Sequence, residues 1–292
     1  MLTQEQVDFY HTNGYVVVES VISAEDLAEL HKITDEFVDK SREVTEHTDV
    51  FDLEPGHTPE APQLRRLKNP VGQHPIYDQM LRHKSILDSV AQLIGPNIRY
   101  DTSKLNMKSA GFGSPVEWHQ DFAFATAVSN DDMLSVGVAL DDMTQENGCL
   151  LFIPGSHKGP IYDHHQNDVF VGGITDPNFK PDNAVPIEVK AGGITIHHTC
   201  TLHASAPNLS GQSRRLLLLQ YCAADTLSLR PITDWDALDA RILRGEQVRE
   251  PRYTDTPHVP RPDNPRPSGR GGSIYETQTL LAKKRVSESV AE

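Results

Sequence analysis

His119 and Asp121 stand two residues apart in Trp118-His119-Gln120-Asp121, and His203 follows far downstream in Leu202-His203-Ala204-Ser205. Residues at i and i+2 of a strand leave the same face, so this pair presents an imidazole and a carboxylate side by side. A second imidazole from a distant strand completes a two-His-one-carboxylate set. Such a set occupies one face of an iron(II) ion and leaves positions open for a co-substrate and dioxygen. A basic residue shortly after the second histidine, at Arg214 or Arg215, could hold the far carboxylate of a 2-oxo acid through the planar guanidinium fork. In an alternating strand Arg214 shares a face with Leu216 and Leu218, and Arg215 with Leu217 and Leu219. Periodicity does not say which face is inward. HxD alone is common by chance; with the distal histidine and the basic residue it becomes a specific signal.

These side chains need strands to carry them, and the chain supplies β-like runs at 98–107, 134–140, 149–153, 185–189, 193–198 and 216–222. Short strands separated by Gly, Pro and Asn turns predict a sandwich or barrel. Helical patterns precede them. Thr3 can cap a helix ending near Asn13-Gly14, 15–18 reads as a short buried strand, and Leu27, Leu30, Ile33 and Phe37 recur at helical spacing. A further helical stretch spans 75–93. Residues 45–64 are acidic, contain prolines and lack a period, which predicts a long loop. Beyond 226 the strand signal fades, 251–273 is rich in Pro, Gly and Arg, and a last helical piece is expected at 278–286. The loop at 45–64 and the segment at 251–273 flank a barrel mouth that must exclude water. Closure over it is one expectation for them, and a solvated loop and tail the other.

Composition narrows the partners. A formal charge of −14 disfavours nucleic acid and anionic membranes, which need a basic surface, although Arg252, Arg261, Arg266 and Arg270 make one locally basic arm. No apolar run approaches the roughly 20 residues of a membrane-spanning helix. The start carries neither a basic nor an apolar leader segment, and three widely spaced cysteines suggest neither a disulfide framework nor a zinc site. A cytoplasmic location and a small-molecule substrate are the expectations that follow. The remaining histidines, including His157, His164 and His165, read as ordinary turn or surface residues. His197 and His198 are adjacent on a strand and point to opposite faces, so one of them can approach a cavity.

The chain resembles the phytanoyl-CoA dioxygenase family of iron(II)- and 2-oxoglutarate-dependent oxygenases, which includes ectoine hydroxylases. The resemblance rests on Phe9-Tyr10 with Asn13-Gly14-Tyr15, on Trp118-His119-Gln120-Asp121, and on Glu146-Asn147-Gly148-Cys149-Leu150 running to Ile153-Pro154-Gly155-Ser156-His157-Lys158. Leu202-His203-Ala204-Ser205 with Asn208, Ser210 and Arg214 completes it, in family order over about residues 3 to 225. It implies a mainly β chain with flanking helices, folded as a double-stranded β-helix or jelly roll. One domain over 1–292 is expected, with a helical part at 1–97, the jelly-roll core at 98–225 and a C-terminal extension at 226–292. It implies that His119, Asp121 and His203 bind iron and that Arg214 is the oxoglutarate arginine. It further implies Ser205 and Asn106 as co-substrate contacts.

The expected activity is that of a dioxygenase using Fe(II), 2-oxoglutarate and O2 to hydroxylate an aliphatic C–H bond of a small molecule, with release of succinate and CO2. Halogenating relatives replace the metal carboxylate with a small residue; Asp121 is present here, which favours hydroxylation. Phe122, Phe124 and Met133 are candidate pocket walls. Two rivals are a redox-neutral cupin-like metalloenzyme, which has no use for an oxo-acid arginine, and a non-catalytic ligand-binding relative.

Overall fold

The first helix, Gln4–Asn13, is set at both ends by local chemistry. The Thr3 hydroxyl accepts the Gln6 N–H while the Gln6 side chain accepts the Thr3 N–H, a reciprocal cap. Gly14 ends the helix at φ +81°, where an added Cβ would lie 2.4 Å from His157 Nδ1. The chain can then turn at once into the strand Tyr15–Val18. In this computed structural model the described residues are 1–125 and 127–263.

Two antiparallel sheets make the core. The larger runs in the order Tyr15–Val18, Ile194–His198, Met133–Ala139, Arg214–Ala223, Ile98–Lys108, Leu64–Lys68 and Phe51–Leu53, with Ile242–Arg244 also pairing Ile98–Lys108. The smaller runs Val185–Ile187, Leu150–Phe152, His203–Ser205 and Val116–His119. This is the jelly roll expected from the sequence.

Arg214–Ala223 shows how the layers form. Its four consecutive leucines alternate between two buried faces. Leu217 and Leu219 join the cluster under the helices with Leu30, Ile33 and Phe37, while Leu216 and Leu218 meet Leu150, Phe152 and Ile187 of the smaller sheet. Each fully buried leucine contributes roughly 1.5–3 kcal/mol. The helix Ala24–Lys40 supplies the first cluster's outer layer, capped by Ser23, whose side chain accepts the Asp26 N–H.

Several expectations need correction. The segment at 45–64 is not one continuous loop: Phe51–Leu53 pairs with Leu64–Lys68 at the edge of the larger sheet, and Lys68 meets the buried Asp52 at 2.8 Å. The helical stretch at 75–93 divides into Pro75–Leu81 and Lys84–Ile94. The extension beyond 226 contributes the helix Trp235–Asp239 and the strand Ile242–Arg244. Arg252 is tied to the body through Asp132 and Asp225. The other expected features of the C-terminal end, Arg266, Arg270 and a helix at 278–286, lie outside the described residues. Among the described residues no helix is long and apolar enough to cross a membrane.

Candidate metal and co-substrate site

Two short strands of the smaller sheet bring the histidines together. His203 opens its strand and His119 closes the neighbouring one, and the ladder sets them directly opposite each other. Their rings lie 4.0 Å apart between centroids. Each ring is oriented by the carbonyl two residues before it: His119 Nδ1 donates to Glu117 O at 2.8 Å and His203 Nδ1 to Thr201 O at 2.9 Å. A proton held at Nδ1 leaves Nε2 as the free lone pair on both rings, the arrangement that metal-binding imidazoles need. Burial holds the His119 imidazolium well below its usual range and pushes His203 down to about 4, so both rings are neutral near pH 7.

Asp121 does not lie on the strand that carries His119. The strand ends at His119, and Asp121 begins a single 3-10 turn, Asp121–Phe124. Tertiary bonds bend the chain here: Gln120 Nε2 donates to Pro160 O and Cys200 O, and the Phe122 N–H donates to Thr199 O. Gln120 itself stays extended, and the Asp121 carboxylate still reaches the two imidazoles. One ligand atom from each of His119, Asp121 and His203 falls within 4.8 Å of the others, and all three residues are buried. Burial alone would raise the Asp121 carboxyl, but Lys104, 3.5 Å from Oδ1, together with His197, His203 and His119, outweighs it and holds the carboxyl well below its usual range. Two neutral imidazoles with free Nε2 atoms and one ionised carboxylate fit a divalent transition metal.

Behind this set lies a second group of residues around a small cavity. Arg214 is buried on the face that holds Leu216 and Leu218, and its Nη2 donates to Gly148 O at 2.7 Å. Arg215 takes the opposite face, where it pairs with Asp141 at 2.8 Å and Asp35 at 2.7 Å. Ser205 and Asn106 line the same cavity as Arg214, and Asn106 Oδ1 accepts from Arg66 Nε at 3.0 Å. Lys108, paired with Arg214 across the ladder, donates to the carbonyls of Ser114, Ser205 and Ala206. Burial and then Arg214 push its ammonium down to about 6, yet three carbonyl acceptors match the three N–H bonds of an ammonium, so we assign it charged.

A larger cavity of about 660 Å³ opens on the other side of Asp121 and Lys104, which line both spaces. Phe124 and Met133 line it, whereas Phe122 does not and packs behind Met133 in a cluster with Ile161 and Cys200. Five basic side chains line it, Arg66, Lys68, Arg99, Lys104 and Arg241, against two acidic ones, Asp101 and Asp121. Burial raises the Asp101 carboxyl despite Arg241 and Arg99, which weakens the acidic side further.

Sequence reasoning did not single out Lys104, Lys108 or Ser135 for the site. Each becomes visible only when strand register is known. Of the adjacent pair, His197 faces the metal-ligand cluster and His198 faces Asp131.

Comparison with known proteins gives a consistent result. The model of the family Phytanoyl-CoA dioxygenase (PhyH) matches residues 10–216. A probable alpha-ketoglutarate-dependent hypophosphite dioxygenase from Stutzerimonas stutzeri is 33% identical, covering 96% of this chain and 98% of that protein. A phytanoyl-CoA dioxygenase from Arabidopsis thaliana is 31% identical, covering 77% of this chain and 90% of its own. Among solved structures, EctD from S. alaskensis with bound Fe superposes at a TM-score of 0.67, with 22% identity over 88% of each chain. The non-heme alpha ketoglutarate dependent carbocyclase SnoK superposes at 0.64, with 23% identity over 85% of this chain and 94% of that one. At these identities the structures speak to the fold.

Proposed function

The chain belongs to the phytanoyl-CoA dioxygenase family and is an iron- and 2-oxoglutarate-dependent dioxygenase; from that premise we propose that it hydroxylates an aliphatic C–H bond of an anionic small molecule. In this reading His119, Asp121 and His203 hold the metal, and Arg214, with Ser205 and Asn106, holds the co-substrate. The observation that carries it is the buried triad standing between two spaces of opposite use. One is small and ends at Arg214; the other measures about 660 Å³, and the charged side chains in its wall are mainly basic.

Iron(II), 2-oxoglutarate and O2 together supply the oxidising power, with succinate and CO2 as the by-products. The protein's own groups do the positioning. Arg214 offers a fork for a carboxylate at the closed end, and the Lys108 ammonium across the ladder adds a second positive charge there. Leu150, Leu216 and Leu218 keep that end dry, which strengthens each charge-assisted bond. In the larger space the basic walls attract an anion, and Phe124 and Met133 give it an apolar surface to rest on. The volume is that of an ordinary small-molecule site, roughly 300–1,000 Å³.

A second reading follows from the relative named as a probable hypophosphite dioxygenase: oxidation of a P–H bond in a small oxyanion. The same cations suit it, but three heavy atoms would leave most of a cavity of about 660 Å³ to solvent, so the larger organic anion is preferred. The buried free thiols Cys149, Cys200 and Cys222 fit a reducing compartment such as the cytoplasm.

The iron-reconstituted protein, supplied with 2-oxoglutarate and air, tests this by succinate release against a panel. The panel holds organic carboxylates, phosphonates, coenzyme A thioesters, hypophosphite and neutral analogues, with products assigned by mass and phosphorus resonance. Hydroxylated organic anion supports the first reading, and phosphite from hypophosphite the second. Coupling to neutral compounds alone would contradict both.

A further inference from the structure

Asp121 has two carboxylate oxygens, and their surroundings differ. Oδ1 lies 3.7 Å from His119 Nε2 and 3.5 Å from Lys104 Nζ. Oδ2 accepts the Ser135 hydroxyl at 3.1 Å and lies 3.5 Å from His197 Nε2. Ser135 and His197 are directly opposite each other on paired strands, so their side chains leave the same face of the larger sheet and converge on one oxygen. His197 is fully buried, with its ring 4.7 Å from that of His203 and 5.0 Å from that of Phe152. Neither ring nitrogen has a hydrogen-bond partner among the described residues. An apolar ring would pack between Phe152 and His203 without the cost of burying two polar nitrogens. The imidazole therefore calls for a polar use at this position, and Asp121 is the acceptor within reach.

We propose that His197 and Ser135 form a two-strand clamp on Asp121 Oδ2 that reserves Oδ1 for the metal. His197 is a positioning residue in this account: it acts through Asp121 and touches neither substrate nor co-substrate. The ring donates Nε2–H, and a small rotation of carboxylate or imidazole shortens 3.5 Å to an ordinary hydrogen bond. With Oδ2 accepting two donors, the carboxylate binds the metal through one oxygen. The open positions of the facial set are thereby kept for co-substrate and dioxygen. The inference rests on the triad being the metal site.

Cobalt(II) titration of the metal-free protein, read by calorimetry and by the visible spectrum of the bound ion, provides the test. His197→Phe is expected to weaken cobalt binding by roughly 10- to 100-fold and to change the spectrum, as loss of an outer partner of a metal ligand does. The metal-free melting temperature should stay level or rise. His197→Gln, which returns an N–H donor at similar reach, should recover most of the affinity, and Ser135→Ala should weaken it independently should the phenylalanine variant not fold. Wild-type affinity and spectrum in both His197→Phe and Ser135→Ala would overturn the clamp. So would equal losses in His197→Phe and His197→Gln with both metal-free proteins destabilised, which would mark a packing role. Asp121→Ala separates the clamp from its premise: if that variant binds cobalt like the wild type, the triad reading itself fails.

Discussion

His119 and His203 face each other across one rung of the smaller sheet, with ring centroids 4.0 Å apart and both Nδ1 atoms tied to carbonyls two residues back along the chain. Main-chain geometry thus chooses the tautomer of each ring, and no other side chain is needed to aim Nε2. Replacing either histidine by glutamine should cost at least one to two orders of magnitude in iron affinity, more than loss of an outer partner costs. The fold should survive, because the glutamine amide keeps N–H donors for the carbonyls of Glu117 and Thr201 that the imidazoles now bond. Calorimetric metal titration beside a thermal melt checks both halves of the expectation.

Arg214 and Arg215 are neighbours on opposite faces of one strand, Arg214 bonded to Gly148 O and Arg215 paired with Asp141 and Asp35. Loss of a charge-assisted bond at a desolvated site costs roughly 1.5–3 kcal/mol, so Arg214→Ala should weaken 2-oxoglutarate by about 10- to 100-fold. Arg215→Ala removes the link to Asp141 and Asp35 and should lower stability by about 1–2 kcal/mol while leaving 2-oxoglutarate affinity near the wild-type value. Anaerobic binding titrations and urea melts of the two variants separate the effects. A reversed pattern would mean that the co-substrate approaches from the other face of the strand.

Gly148 supports Arg214 through its carbonyl and has φ +78°, and a Cβ there would come within 2.4 Å of Ala206 O. Gly148→Ala should therefore cost about 1–3 kcal/mol of stability from backbone strain, with the contact adding to it. It should also raise the 2-oxoglutarate requirement by displacing the arginine's anchor. Equilibrium melts together with co-substrate titration test the pair of effects, and an unchanged co-substrate affinity would show that Arg214 does not depend on this carbonyl.

His164 gives the fold a defined acid sensitivity. Its Nε2 accepts the Gln120 N–H at 3.1 Å and its Nδ1 donates to Tyr162 O at 2.8 Å, so the folded chain needs the neutral ring. Burial pushes its value down to about 4 from an ordinary 6.5. The unfolded chain takes up this proton near 6.5 and the folded one resists to about 4, so stability is complete above 6.5 and declines as pH falls through that window. The decline should amount to a few kcal/mol at most. Urea melts between pH 7 and 4.5 should show a shallower loss in His164→Gln than in the wild type, and parallel curves would remove His164 from the account.

The chemistry of the triad is legible in the sequence because it depends on residue type and on two strands whose hydrophobic runs are plain. The local geometry at Asp121 is not. HxD reads as a continuous strand, but Gln120 bonds to Pro160 O and Cys200 O, and these distant partners turn the chain after His119. Alternation alone could not separate Arg214 from Arg215, since both faces of their strand are buried. Helix residue Asp35 on one side and Gly148 O on the other decide it. The strand Phe51–Leu53 escaped notice because three residues carry no period. The basic cavity was hidden for a different reason: Arg66, Arg99 and Arg241 are scattered along an acidic chain and meet only in the fold.

The most direct measurement is an anaerobic titration of the metal-free protein with iron(II) in excess 2-oxoglutarate, followed by visible absorption. Iron and oxoglutarate bound together at one site give a weak charge-transfer band, which should saturate at about one iron per chain, the stoichiometry of a single facial set. The band should be absent in Asp121→Ala and His203→Ala and require much more 2-oxoglutarate in Arg214→Ala. A band that forms undiminished in the triad variants, or no band in the wild type at saturating iron and 2-oxoglutarate, would contradict the assignment of His119, Asp121, His203 and Arg214 to one site.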